Sequence, residues 1–281
     1  MRDDESLTVL RDTWEHWGET DPLWAILSEP DKDGNRWDLG QFMATGEAEI
    51  SAVFERLSQL GLAPPSRRAL DFGCGVGRLS QALASRFARV DGVDISEAML
   101  TTARRINRFG ERCSYHHNIA PDLQSFARGT FSFLYSNITL QHMPPIYALG
   151  YVREFLRVLA PDGLAVFQIP SHFASPILRG RRWVSARSPA LHRLYRALFH
   201  GDKAAPAPPY RMYSIARRRL EGAITRAGGQ TCAVDRDHSA PPDWVSYRYF
   251  VRRREAASSS ILRPQNESVP ASPSDRGVEG T

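Results

Sequence analysis

An α/β fold, a mostly parallel sheet covered on both faces by helices, is predicted by two features of this 281-residue sequence. From residue 66 onward, short apolar runs alternate with stretches of helical periodicity, the rhythm of strand–helix–strand units. Between the first run and the first helix lies the turn "DFGCGVGR", with Gly73, Gly75 and Gly77. Such a turn leaves bare backbone and free N–H groups beside a ligand.

The elements follow in order. Residues 7–28 read as helical, with turn chemistry after them at Pro30 and Asp33–Gly34. Ile50, Val53, Phe54, Leu57 and Leu60 fall at helical spacing, so a helix is expected from about Gly46 to Leu60, ended by Pro64 and Pro65. "RALDFG" is a strand, residues 77–86 a helix, and "RVDGVDI" a second strand. Ser96 is placed to cap the next helix, whose Met99, Leu100 and Ala103 recur helically. "CSYHHNI" and "FSFLYSNI" are strands, residues 146–159 a helix, and "GLAVFQIP" a fifth strand. A helix at 213–227 and the strands "QTCAVDRD" and "DWVSYRYFVRR" bring the strand count to seven.

Composition excludes several classes. Apolar residues make up 42% of the chain and charged ones 24%, ordinary for a globular protein. No apolar run approaches the ~20 residues of a membrane span. The acidic N-terminus "MRDDESLTVLRDTWEHW" lacks a signal-peptide layout, so a cytoplasmic location is expected. Cys74, Cys113 and Cys232 are widely spaced and show no metal-ligand pattern, which argues against a disulfide framework and against a metal site. Cys74 reads better as a small residue in a tight turn than as a nucleophile. The net charge of +5 is uneven: residues 171–220 hold ten arginines and one lysine against one acid.

The loop spacing is G-x-G-x-G, whereas a dinucleotide fingerprint is G-x-G-x-x-G. Arg78 stands where its third glycine would fall, and no G-K-[ST] follows to make a P-loop. Asp94 ends the second strand, and an acid there accepts hydrogen bonds from ribose hydroxyls. Together, "LDFGCGVGR", "VDGVDISEAML", "HHNIAPDL", "FSFLYSNITLQHMPP" and "LRVLAPDGLAVFQIP" are similar, in order and spacing, to the class I S-adenosylmethionine-dependent methyltransferases across about residues 66–171.

That resemblance implies a Rossmann-like, seven-stranded mixed sheet whose last strand is antiparallel, and S-adenosyl-L-methionine as cofactor. With the rest of the sequence, the chain is expected to divide into an N-terminal helical lid region (1–62), a cofactor-binding core (63–171), a basic helical insertion after the fifth strand (172–212), the last helix and strands (213–254) and a tail (255–281) whose Ser, Pro and charge content predicts disorder. Asp71 resembles the acid that orients the loop and contacts the methionine amino group. Gly73, Cys74 and Gly75 resemble the turn beneath the methionine moiety, with Gly77 and Arg78 opening the helix. Asp94 resembles the ribose acid, Ile95 the adjoining adenine contact, and Met99 either a residue near the adenine face or helix core. Asn118 and Ile119 stand where relatives present an Asp to the adenine amino group, and Asn137 where the methionine portion meets the acceptor. Ser132 replaces an Asp common before the fourth strand.

Methyl transfer is an in-line displacement in which positioning supplies much of the rate. An oxygen acceptor also benefits from a base. "LQHMPP" makes His142 the candidate base and Gln141 its orienting group; the competing reading packs His142 against cofactor or helix with no proton role. No Asn-Pro-Pro-Tyr run follows the fourth strand, which disfavours the amide or base N-methylation associated with it. Four tryptophans, Trp14, Trp17, Trp24 and Trp37, mark the N-terminal region; Trp24, Phe42 and Gly46 are its candidate lid contacts. In the insertion, Leu191, Leu194, Tyr195, Leu198 and Phe199 form an apolar helix face with Arg193, Arg196 and His200 off it. It reads as a cap over the acceptor pocket, as a solvated basic face, or as a site for an anionic or carrier-bound partner.

The expected activity is methylation of a small molecule, first at an oxygen of a secondary metabolite or sugar, second at nitrogen or carbon. A cofactor-binding scaffold without catalysis is the alternative of another class. Nucleic acid is the weakest partner, since no RNA-binding module is appended.

Overall fold

The computed structural model describes residues 7–175 and 211–254. Three helices come first: α1 (Leu7–Thr20), α2 (Pro22–Ile26) and α3 (Leu39–Gln59). The core then alternates β1 (Arg68–Phe72), α4 (Arg78–Ala84), β2 (Arg89–Asp94), α5 (Glu97–Ile106), β3 (Cys113–His117), β4 (Phe131–Ser136), α6 (Pro145–Val158) and β5 (Leu159–Phe173). It closes with α7 (Arg217–Arg226), β6 (Gly229–Asp237) and β7 (Trp244–Arg253). The seven strands form one sheet in the order β3-β2-β1-β4-β5-β7-β6. β1 to β5 pair in parallel, and β7 runs antiparallel to both β5 and β6, as expected for the last strand.

Strands buried on both faces read as near-continuous apolar runs, and β4 is buried along its whole length, its Ser132 and Ser136 hydroxyls donating to the carbonyls of Arg68 and Phe72 on β1. Leu70 and Leu134 join Phe155, Phe167 and Tyr249 on one face, under α6 and α7. Phe133 and Tyr135 turn to the other face and meet Ile50, Val53 and Leu57 of α3. Phe155 and Phe133 are fully buried, and truncating either to Ala should cost about 3–5 kcal/mol.

The N-terminal helices depart from the sequence reading in two places. The 7–28 stretch is two helices, because Pro22 starts a new one capped by Asp21, whose carboxylate accepts from Trp24 N–H. α3 begins at Leu39, well before the expected start near Gly46, with Asp38 accepting from Gln41 N–H at 2.8 Å. The apolar stripe extends back through Met43 and Phe42, while two weak helix formers, Gly40 and Gly46, hide it. Ser96 caps α5 as expected, accepting from Met99 N–H.

The tail 255–281 and the insertion face of Leu191, Leu194, Tyr195, Leu198 and Phe199, with Arg193, Arg196 and His200, lie outside the described residues. Among the described residues no helix is long and apolar enough to cross a membrane. β1 separates β2 from β4, and the connections leave it in opposite directions. A crevice at such a reversal, outside the carboxyl ends of the strands, is where open α/β sheets take ligands.

Candidate active site

A cavity of about 750 Å³ of free space, counted out through its open mouth, occupies that crevice. Its floor comes from Gly73 and Gly75 after β1, Asp94 and Ile95 at the end of β2, Met99 on α5, Asn118 after β3, and Asn137, Ile138 and Thr139 after β4. Its roof comes from Leu7, Leu10 and Trp14 on α1 and from Ala25 and Ile26 on α2.

The glycine turn is held by the strand beside it. Gly73 and Cys74 both donate to the Val93 carbonyl, at 2.8 and 3.1 Å. Gly73 has φ +75°, and a Cβ there would collide with the Thr139 side chain. At Gly75, φ is +51° and a Cβ would stand 2.6 Å from Ile26 Cδ1. Asp94 ties the turn to the next helix: Oδ2 accepts from Gly75 N–H at 2.8 Å and Oδ1 from Ser96 N–H at 3.0 Å. Burial raises the Asp94 pKa against the pull of these bonds. Each carboxylate oxygen keeps a second lone pair for a ligand hydroxyl.

The structure brings Gly73, Gly75, Asp94, Ile95, Met99, Asn118, Asn137 and His142 to the cavity wall. Met99 is 1% exposed within the cluster formed with the N-terminal helices, and it also lines the cavity. Asn118 is turned partly away: its Nδ2 donates to the Asp122 carbonyl at 2.9 Å, and its Oδ1 lies 3.4 Å from Ala120 N.

The other expected site residues lie off the wall. Asp71 sits behind the glycine turn, fully buried, with Oδ2 accepting from the Ser80 hydroxyl at 2.6 Å and Oδ1 unpartnered. Burial pushes its pKa up to about 7. Cys74 is buried beneath the turn, and burial raises its thiol pKa well above normal, which suits a filler and not a nucleophile. Gly77 starts α4 from behind the loop, and Arg78 reaches away to Glu49 at 2.8 Å. Ile119 is 56% exposed, because the chain turns outward after Asn118. Trp24 packs on Trp17 and donates to the Glu29 carbonyl, and Phe42 is sealed against Trp37. Gly46 lets α3 pass over α4, since a Cβ there would stand 2.7 Å from the Arg78 carbonyl oxygen. These three pack within and beneath the N-terminal helices, and Leu7, Leu10 and Trp14 are the face that α1 turns to the cavity. That face is legible as an i, i+3, i+7 stripe along α1.

Gln141 is behind the wall too, within a relay of amides. The Ile138 N–H donates to Gln168 Oε1 at 3.1 Å, which fixes the Gln168 amide so that Nε2 donates to Gln141 Oε1 (3.1 Å) and Ser246 Oγ (2.6 Å). Gln141 Nε2 must then donate to His142 Nε2 at 3.3 Å, leaving His142 Nδ1–H to donate to the Arg211 carbonyl at 3.3 Å. Burial holds the His142 pKa down at about 4, against the smaller opposing pull of its bond to the Arg211 carbonyl. Ile138 itself has φ +56°, a conformation that strains a β-branched residue by roughly 1–2 kcal/mol. Nothing in the local sequence announces Gln168, whose partners are distant in the chain.

The residues present fit S-adenosylmethionine. The bare glycine backbone leaves room for a ligand, Asp94 has lone pairs that a ribose would use, Ile95 and Met99 present apolar surface that would suit a base, and Asn137 Oδ1 is a buried acceptor without a donor.

Comparison with known proteins agrees with this geometry. Residues 69–163 match the family described as a methyltransferase domain. A trans-aconitate 2-methyltransferase from Methylobacterium nodulans is 29% identical over 206 residues, 71% of this chain and 70% of the relative. Further trans-aconitate 2-methyltransferases are matched over 56% or 57% of their length. A malonyl-acyl-carrier-protein O-methyltransferase from Legionella pneumophila is 36% identical over 122 residues, 42% of this chain and 40% of the relative. In fold, the chain is similar to magnesium protoporphyrin IX methyltransferase from Synechocystis PCC 6803, at TM-score 0.58 and 19% identity, over 89% of this chain and 100% of that one.

Proposed function

The chain belongs to the class I S-adenosylmethionine-dependent methyltransferases, and from that premise we propose that it methylates a carboxylate oxygen of a small organic acid. S-adenosylmethionine, when bound, supplies an electrophilic methyl group on a sulfonium. The chain's part is to hold the adenosine end on Asp94, Ile95 and Met99 and to exclude water beneath Leu7, Leu10 and Trp14.

The observation that carries the choice of acceptor is the commitment of His142. Its Nε2 lone pair is taken by the Gln141 amide, and its pKa of about 4 makes it a weak base. A sugar or metabolite hydroxyl, the first expectation from the sequence, needs a proton removed at that position. A carboxylate is already an anion at neutral pH and needs none. Two of the named relatives act on compounds with free carboxylates, trans-aconitate and malonyl-acyl-carrier protein.

We place the acceptor beside His142, where the chain returns from the basic insertion: Tyr213 N–H donates to the Gln141 carbonyl at 2.7 Å. The excess of arginine over acid in residues 171–220 suits an acidic acceptor by its composition.

The test is turnover of S-adenosylmethionine against a panel of di- and tricarboxylic acids, their acyl-carrier thioesters, and matched alcohols and amines. Formation of an alkali-labile methyl ester is expected. Turnover confined to alcohols or amines would refute the carboxylate reading, and cofactor binding without any turnover would favour a scaffold.

A further inference from the structure

Glu49, on α3, is bonded to two sides of the site that the sequence does not connect with it. Its Oε2 pairs with Arg78 at 2.8 Å, and its Oε1 accepts from the Tyr135 hydroxyl and from Asn137 Nδ2, each at 2.7 Å. An ion-paired carboxylate only accepts, so the end of the Asn137 amide facing it is the nitrogen. The same nitrogen reaches Ser239 Oγ at 3.3 Å. Asn137 Oδ1 is thereby left as an acceptor, buried and without a donor. The residue is only 8% exposed and lines the cavity. A buried carbonyl oxygen in that state is costly and calls for a partner.

The sheet indicates which partner. Asp94 ends β2 and Asn137 follows β4, with β1 between them. Neighbouring strands are about 4.8 Å apart, so the two side chains start about 10 Å apart across the floor. A ligand whose ribose sits on Asp94 extends its amino-acid end toward Asn137. We propose that Glu49 is a positioning residue for the cofactor's amino-acid moiety. By fixing the Asn137 amide in one orientation, it presents Oδ1 to the ammonium group. The inference rests on the reading of this cavity as the S-adenosylmethionine site.

Two ligands separate this role from a merely structural one. S-adenosylhomocysteine carries the ammonium, and 5′-methylthioadenosine has the same adenosine without the amino-acid moiety. In calorimetry on the whole chain, Glu49→Ala should weaken S-adenosylhomocysteine about tenfold or more and leave methylthioadenosine unchanged. Glu49→Gln, which can still accept from Asn137, should restore most of the difference. Asn137→Ala keeps the Glu49–Arg78 pair and should show the same selective loss even where Glu49→Ala fails to fold. Equal weakening of both ligands, or of neither, in Asn137→Ala and Glu49→Ala overturns the inference alone. Failure of the unaltered chain to bind S-adenosylhomocysteine overturns the inference together with the cofactor reading.

Discussion

Gln141 Nε2 stands 3.3 Å from His142 Nε2, and the amide chain behind it makes Gln141 the donor. A proton on His142 Nε2 would face that donor N–H directly. The imidazole is therefore held neutral by its neighbour as well as by burial.

Its effect on stability has a definite sign. The folded pKa, about 4, lies below the ordinary 6.5. Above 6.5 neither state is protonated and the group is silent. As pH falls from 6.5 to 4, the unfolded chain takes up a proton that the folded chain refuses, and stability drops. His142→Asn should flatten the melting-temperature profile over that window. It should lower kcat by less than about tenfold, since base catalysis typically supplies 10²–10⁴-fold. A 100-fold loss of kcat with unchanged KM would restore His142 as a base.

Asp94→Ala should weaken S-adenosylhomocysteine by about 1.5–3 kcal/mol, the range for hydrogen bonds to a charged group. The same change also frees Gly75 and Ser96, which Asp94 holds at 2.8 and 3.0 Å, so the glycine turn should exchange its amides faster. Calorimetry and hydrogen exchange read the two effects separately. Unchanged affinity would remove Asp94 from the site.

Asp71 should behave differently although it lies in the same motif. Its pKa is raised to about 7 by burial, from 3.8. Below 3.8 both states are neutral. Between 3.8 and 7 the folded state keeps a proton that the unfolded state releases, so stability falls as pH rises and the penalty is complete above 7. Asp71→Asn keeps an acceptor for Ser80 and removes the buried charge. The ligand-free variant should melt several degrees higher at pH 8 and nearly the same at pH 4. A lower melting point at pH 8 would show that the charge has a partner worth more than its burial costs.

The contrast between these two acids shows what the sequence could and could not carry. The order strand, glycine turn, helix, acid is local, and so is the Ser96 cap, which is why the core elements, and the position of Asp94 at the end of β2, are legible. Whether an acid in the motif faces the cavity or the packing behind it depends on which neighbour fills the space, here Ser80 on the following helix. Glu49 and Asn137 are 88 residues apart, and Gln168 and Ser246 are 78 apart. No spacing rule links such pairs. In the N-terminal helices Trp24 and Phe42 are larger sequence signals than Leu7 and Leu10, yet they point into the packing among those helices while Leu7 and Leu10 reach the cavity.

The contact of α1 with α5 includes a polar tie that a single substitution can test. Glu15 on α1 accepts from the Ser96 hydroxyl at 2.7 Å and from Ala98 N–H at 3.2 Å, at the positive start of α5. Beside it, Gly18 lets α1 lie close to α5, since a Cβ there would stand 2.9 Å from Ala98 Cβ. Leu10 and Trp14, on the same helix, close over the cavity. Loss of the carboxylate removes these polar ties between α1 and α5, at a cost of about 0.5–2 kcal/mol for a lost capping interaction. Glu15→Ala should therefore speed S-adenosylhomocysteine release several-fold and raise amide exchange in α1, with little change in the exchange of β1 and β4. Glu15→Gln keeps an acceptor for Ser96 and should fall between the two. Stopped-flow release and hydrogen exchange check both. If release is unchanged while α1 exchanges faster, the cofactor leaves by a route that α1 does not cover, and Trp14 is a wall of the acceptor space alone.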